Sequence, residues 1–119
     1  LSMRMSDEAG RFHDCWEALC ALRQAIEMRP LADVWMRLQL DQLMIDFVMG
    51  YLWELRTDGV TKGEVVTVLA EGYERIHALS AQSEQERALK ARLLEQEEMV
   101  WKTVESTYAQ EMEQEVKGG

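Results

Sequence analysis

Chain breakers are scarce: one proline (Pro30) and seven glycines in 119 residues. That excludes a sandwich or barrel of many short strands, which needs turn signals roughly every 8–12 residues. Cysteine occurs only at Cys15 and Cys20. On a helix that spacing separates the two by roughly 140°, at about 100° per residue, so they do not bridge each other. Reduced thiols in a cytoplasmic chain are the expectation, in place of a disulfide-stapled secreted fold. No apolar run approaches the ~20 residues that span a bilayer, and no basic-then-apolar leader opens the sequence. Bases are few as well. Thirteen Lys and Arg against twenty-two Asp and Glu leave a net charge of −9. Such a field repels nucleic acid and anionic membrane, and favours a basic protein surface as partner.

The sequence also lacks a glycine-rich phosphate loop, a C-x-x-C pair, a G-x-S-x-G turn and any repeat of 20–50 residues. What it has is 47% hydrophobic and 29% charged residues, the balance of a single soluble domain. Residues 1–5 read as a tag remnant or disordered N-terminus, and 6–117 as an all-α, single-domain, up-down bundle of four helices.

The four helices are expected over 7–28, 31–56, 62–79 and 84–116. Ser6 followed by Asp7 and Glu8 is a helix start. Phe12, Cys15, Trp16, Leu19, Leu22 and Ile26 then recur at helical spacing and are expected on one buried arc, which Arg23 interrupts. Pro30 ends this helix and suits the first turn of the next. The second helix is apolar on two opposite faces, Val34/Leu38/Ile45/Met49/Leu52 and Met36/Leu40/Leu43/Phe47/Tyr51. That pattern predicts a central element buried nearly all round, with a large side chain packed over Gly50. Thr61–Glu64 and Ser83–Glu86 match the capping-box pattern of hydroxyl and carboxylate three residues apart. The last helix, unbroken for about 50 Å at ~1.5 Å per residue, should overhang a compact bundle. It is long and acidic.

That overhang is the strongest candidate site. A stripe through Leu93, Val100, Val104 and Tyr108, flanked by Trp101 and Met112, ends among Glu105, Glu111, Glu113 and Glu115. An apolar seam rimmed by acids suits helix–helix contact with a basic partner or with a second copy. Trp101, Tyr108 and Met112 are the expected anchors, and the four glutamates would steer the encounter. The function expected is therefore a non-catalytic protein-binding module of inhibitor, immunity, chaperone or adaptor type, needing no cofactor and no metal.

The alternative is an all-α carboxylate enzyme using a divalent metal on a phosphorylated small molecule. Asp41 and Glu97 interrupt apolar faces and could meet His77, or Asp41 could pair with Arg23 instead. Glu74-x-x-His77 is half of a di-iron pattern, and the sets around Glu71 and Glu95 lack the E-x-x-D half of a nucleotide-hydrolase site. Leu55–Leu69 faintly resembles a helix-turn-helix, but Asp58 stands where an apolar residue belongs. Trp35 and Trp53 share a wheel angle beside Asp46 and could mark an exposed stripe.

Overall fold

In the structure, a computed structural model, residues 10–29 and 33–118 are described, with side chains through Ala109. They form α1 (Arg11–Glu27), α2 (Val34–Thr57), α3 (Lys62–Ala78) and α4 (Glu84–Gly118), with no strand among them. The Ser6 cap, the 1–5 tail and Pro30 lie outside the described residues. The local chemistry that was legible does set the boundaries. Thr61 Oγ1 accepts from the Glu64 amide at 3.1 Å, and Ser83 Oγ accepts from the Glu86 amide at 3.1 Å. The Glu86 carboxylate reaches back to the Gln82 amide, at 2.8 Å. α2 is capped by Asp33, which accepts from the Met36 amide at 2.7 Å.

α2 packs against each of the other helices, and α3 packs against α4. α1 runs antiparallel to α2, with Phe12 beside Tyr51 at one end. The core lies where the four meet: Leu38, Met44, Val48 and Leu55 of α2, Val65, Leu69 and Ile76 of α3, Leu93, Val100 and Val104 of α4, and Trp16 of α1. α4 is one continuous helix of 35 residues.

The turn between α2 and α3 holds three helices at once. Gly59 takes a positive φ of 95°, the conformation that closes a helix C-terminus without a Cβ clash. The Val60 amide donates to Leu55 O at 2.9 Å and the Gly59 amide to Arg56 O at 3.0 Å, with Leu55 and Val60 both buried. Asp58 beside them caps a different helix. Its Oδ2 accepts from the Phe12 amide at 2.8 Å and the His13 amide at 3.2 Å. A carboxylate at a helix N-terminus meets both the unpaired N–H groups and the positive end of the helix dipole. Asp58→Ala should therefore lower stability by about 1–2 kcal/mol, read as a shift in denaturation midpoint, while Asp58→Asn retains most of it. An Ala variant as stable as the parent would show that α1 does not need this cap.

α2 departs from expectation. It touches every other helix, yet it is not buried all round. Met36 is 46% exposed and Leu43 50%, with Tyr51 and Trp53 also outward. The reason is thickness. The molecule measures 52 × 33 × 19 Å, and helices are ~10 Å across with their side chains. Two layers of helices enclose none of their members. Nor does any side chain pack over Gly50, which has no neighbour within 4 Å of its absent Cβ. Instead α2 bends at the next residue, Tyr51, where φ is −131° and ψ 27°.

Candidate functional site

Of the three anchors expected on α4, Tyr108 is not available to a partner. Tyr108 is buried in its own bundle, and its hydroxyl donates to Val60 O in the α2–α3 turn at 2.8 Å. The stripe that reads as an overhanging seam is covered as far as Tyr108 because that turn reaches it. Trp101 is half-buried, 6.1 Å between ring centroids from Tyr73 of α3. Glu105 is exposed and pairs with Lys62 at 2.8 Å. Met112, Glu111, Glu113 and Glu115 belong to the last turns of α4, where the backbone is helical and the side chains lie outside the described residues.

The outward apolar surface is on the opposite layer. From α2 come Met36, Leu43 and Tyr51, with half-buried Phe47 5.3 Å from Tyr51 between ring centroids. From α1 come Leu22, exposed like Cys15, Ala18 and Ala25 on the same side of that helix. Singly exposed apolar residues are ordinary on any protein, but several in line along one side of a helix are not. Asp14, Asp46 and Glu54 stand exposed on the same two helices. Trp53 is also exposed, with the Arg56 guanidinium 4.7 Å above its ring, whereas Trp35 packs partly against the core. The two tryptophans therefore do not form one stripe.

A second feature lies inside, where α1, α2 and α3 meet. Arg23 is 6% exposed and Asp41 4%. Arg23 Nη1 donates to Val68 O at 2.9 Å, and Nη2 approaches Glu71 at 3.4 Å. Arg75 is paired with Glu27 across the α1–α3 seam and lies 3.8 Å from Glu71. Gly72 is what lets the helices close over these groups. A Cβ there would stand 3.1 Å from Arg23 Nη1 and 3.6 Å from Asp41 Oδ1. Asp41 itself has no hydrogen bond or ion pair among the described residues. Burial pushes its carboxyl up to about 6, against the opposing pull of Arg23 and Arg75. The proposed meeting of Asp41 with Arg23 is thus half right: they are neighbours in the same buried cluster without a direct bond.

The remaining motifs are dispersed. His77 Nε2 lies 3.2 Å from Glu97 Oε2 in an exposed α3–α4 contact, apart from the Asp41 cluster. Among the described residues no three His, Cys, Asp or Glu side chains converge as a metal set. Asp58, the misfit in the helix-turn-helix pattern, caps α1. Cys15 and Cys20 are unbridged, and burial raises the Cys20 thiol. No described helix is long and apolar enough to cross a membrane. No known protein family, curated protein or solved structure is matched by the chain.

Proposed function

We propose that this chain is a non-catalytic protein-binding module whose docking surface is the outward face of α1 and α2. The observation that carries the reading is Leu43, half exposed on a helix that touches every other helix, in line with Met36 and Tyr51. A helix–helix partner would cover these positions as the fourth wall that a two-layer bundle lacks. Acidic residues on the same helices and a net charge of −9 favour a partner with basic groups around its own apolar stripe. The same charge opposes a second copy of the chain, since like fields raise the barrier to encounter. The acidic end of α4 then contributes to long-range steering, in place of the anchoring role expected for Tyr108.

The test is affinity capture from extracts of the source cell, followed by binding of the purified captured protein. Met36→Glu with Leu43→Glu should weaken that complex at least tenfold, chiefly by faster dissociation. The melting temperature should stay within a degree or two, because both side chains already face water. Sedimentation across a dilution series separates self-association from a foreign partner. Binding indifferent to the double substitution would place the docking surface elsewhere.

A further inference from the structure

The buried cluster borders a cavity of about 160 Å³. That is close to the engineered 150 Å³ cavity that admits benzene. Arg23, Glu27, Arg37, Asp41 and Arg75 supply its charged wall, and Ile26, Leu40, Ala78 and Leu79 its apolar one. We propose that this cavity binds a small neutral molecule, with a benzene-sized apolar body and a hydroxyl or primary-amide head that donates to the Asp41 carboxylate.

The charge ledger of the cluster sets the head group. Three guanidiniums, Arg23, Arg37 and Arg75, and two carboxylates, Glu27 and Asp41, line the cavity, while half-exposed Glu71, outside the lining, pairs with Arg23 and Arg75. Counting Glu71 the charges balance, so a charged ligand would leave one ion of the set without a counter-charge. What the cluster lacks is a donor to Asp41 and an acceptor for the buried Arg23 Nε. Arg23 has Val68 O and Glu71, Arg75 has Glu27 and Glu71, and Arg37 donates to Arg29 O at 3.3 Å. Asp41 alone among these groups is without a direct partner. A hydroxyl or amide both donates to a carboxylate and accepts from a guanidinium, and it brings no net charge. The apolar wall sets the body, because Ile26, Leu40 and Leu79 offer no hydrogen-bonding side chain. Gly72 supports the assignment from behind, since the absence of its Cβ leaves Arg23 and Asp41 in place at the wall.

The experiment titrates the whole protein with cyclohexanol and follows the methyl resonances of Ile26, Leu40 and Leu79. Cyclohexylammonium, cyclohexanecarboxylate and cyclohexane serve as comparison probes. Saturable shifts confined to those methyls, with cyclohexanol binding more tightly than all three analogues, are expected. The affinity should rise about fivefold between pH 5 and pH 7, because a hydrogen bond to an ionised acceptor is stronger than one to a neutral one. Asp41→Asn should remove that pH dependence while still allowing weaker binding. Four outcomes overturn the proposal: no saturable binding, as for a cavity holding water only; shifts centred elsewhere; a charged analogue or cyclohexane binding at least as tightly as cyclohexanol; or the same pH dependence in Asp41→Asn.

Discussion

Asp41→Asn should raise the melting temperature at pH 7 by about 10 °C, and the gain should vanish near pH 4. The carboxyl titrates at about 6 in the folded chain against an ordinary value of 3.8. Between those values the folded state holds the proton that the unfolded state has released. Stability therefore falls as pH rises from 4 to 6, and levels off above it. A gap of about two units corresponds to about 3 kcal/mol at 1.4 kcal/mol per unit. For a domain of this size, each kcal/mol moves the midpoint by about 3–5 °C. Asparagine has nearly the same shape and no charge to desolvate, so it recovers most of the loss at neutral pH. Chemical denaturation of both proteins at pH 4, 5, 6 and 7 checks the sign and the window together. Parallel curves, with no convergence at low pH, would mean that Asp41 is hydrated in the folded state.

Such a residue is informative because it opposes the stability of its own fold. Unpaired buried carboxylates are removed easily by substitution, and natural chains retain destabilising groups mainly where function uses them. The outward apolar face of α2 works in the same direction, since Met36 and Leu43 add nothing to the folded core. Both features sit on the layer formed by α1 and α2. Arg23 and Glu27, which seat α1 on α3 at the buried cluster, belong to the helix that carries Leu22 on its outer side. Occupancy of the cavity and docking on the face would therefore act on the same helix.

The fold was legible where local chemistry sets it. Thr61 with Glu64 and Ser83 with Glu86 place two helix starts within a residue or so, because a cap is a contact between neighbours in sequence. Asp58 reads only as part of a turn, since the amides it caps are 45 and 46 residues away. The α2 error has a different origin. Apolar residues on two faces describe equally a helix enclosed by neighbours and one that shows a face to solvent. Only the number of layers separates the two. Tyr108 was misplaced for a similar reason, because helix length says how far α4 extends and not which turn reaches up to cover it. One signal was available and was read in part: Arg23 and Asp41 each interrupt an apolar arc, and charges placed on two core-facing stripes mark a shared buried cluster.

The largest loss is expected at Arg23. Arg23→Ala should destabilise the protein by about 3–5 kcal/mol at pH 7, as when one member of a buried ionic cluster is removed. Its long side chain fills the α1–α3 seam, so truncation also leaves a void beside Gly72. The loss should shrink as pH falls through about 6. Below that value Asp41 is protonated, and the guanidinium no longer stabilises a buried negative charge. Arg23→Met separates the two contributions, because it keeps most of the volume and removes the charge. If charge dominates, Arg23→Met is nearly as unstable as Arg23→Ala at pH 7, and adding Asp41→Asn to it restores more than the single Asp41→Asn substitution gains. If volume dominates, Arg23→Met is close to the parent and the two substitutions add independently. Additivity would mean that Arg23 and Asp41 do not interact energetically despite their shared contact at Gly72, and the cluster would lose its standing as a unit.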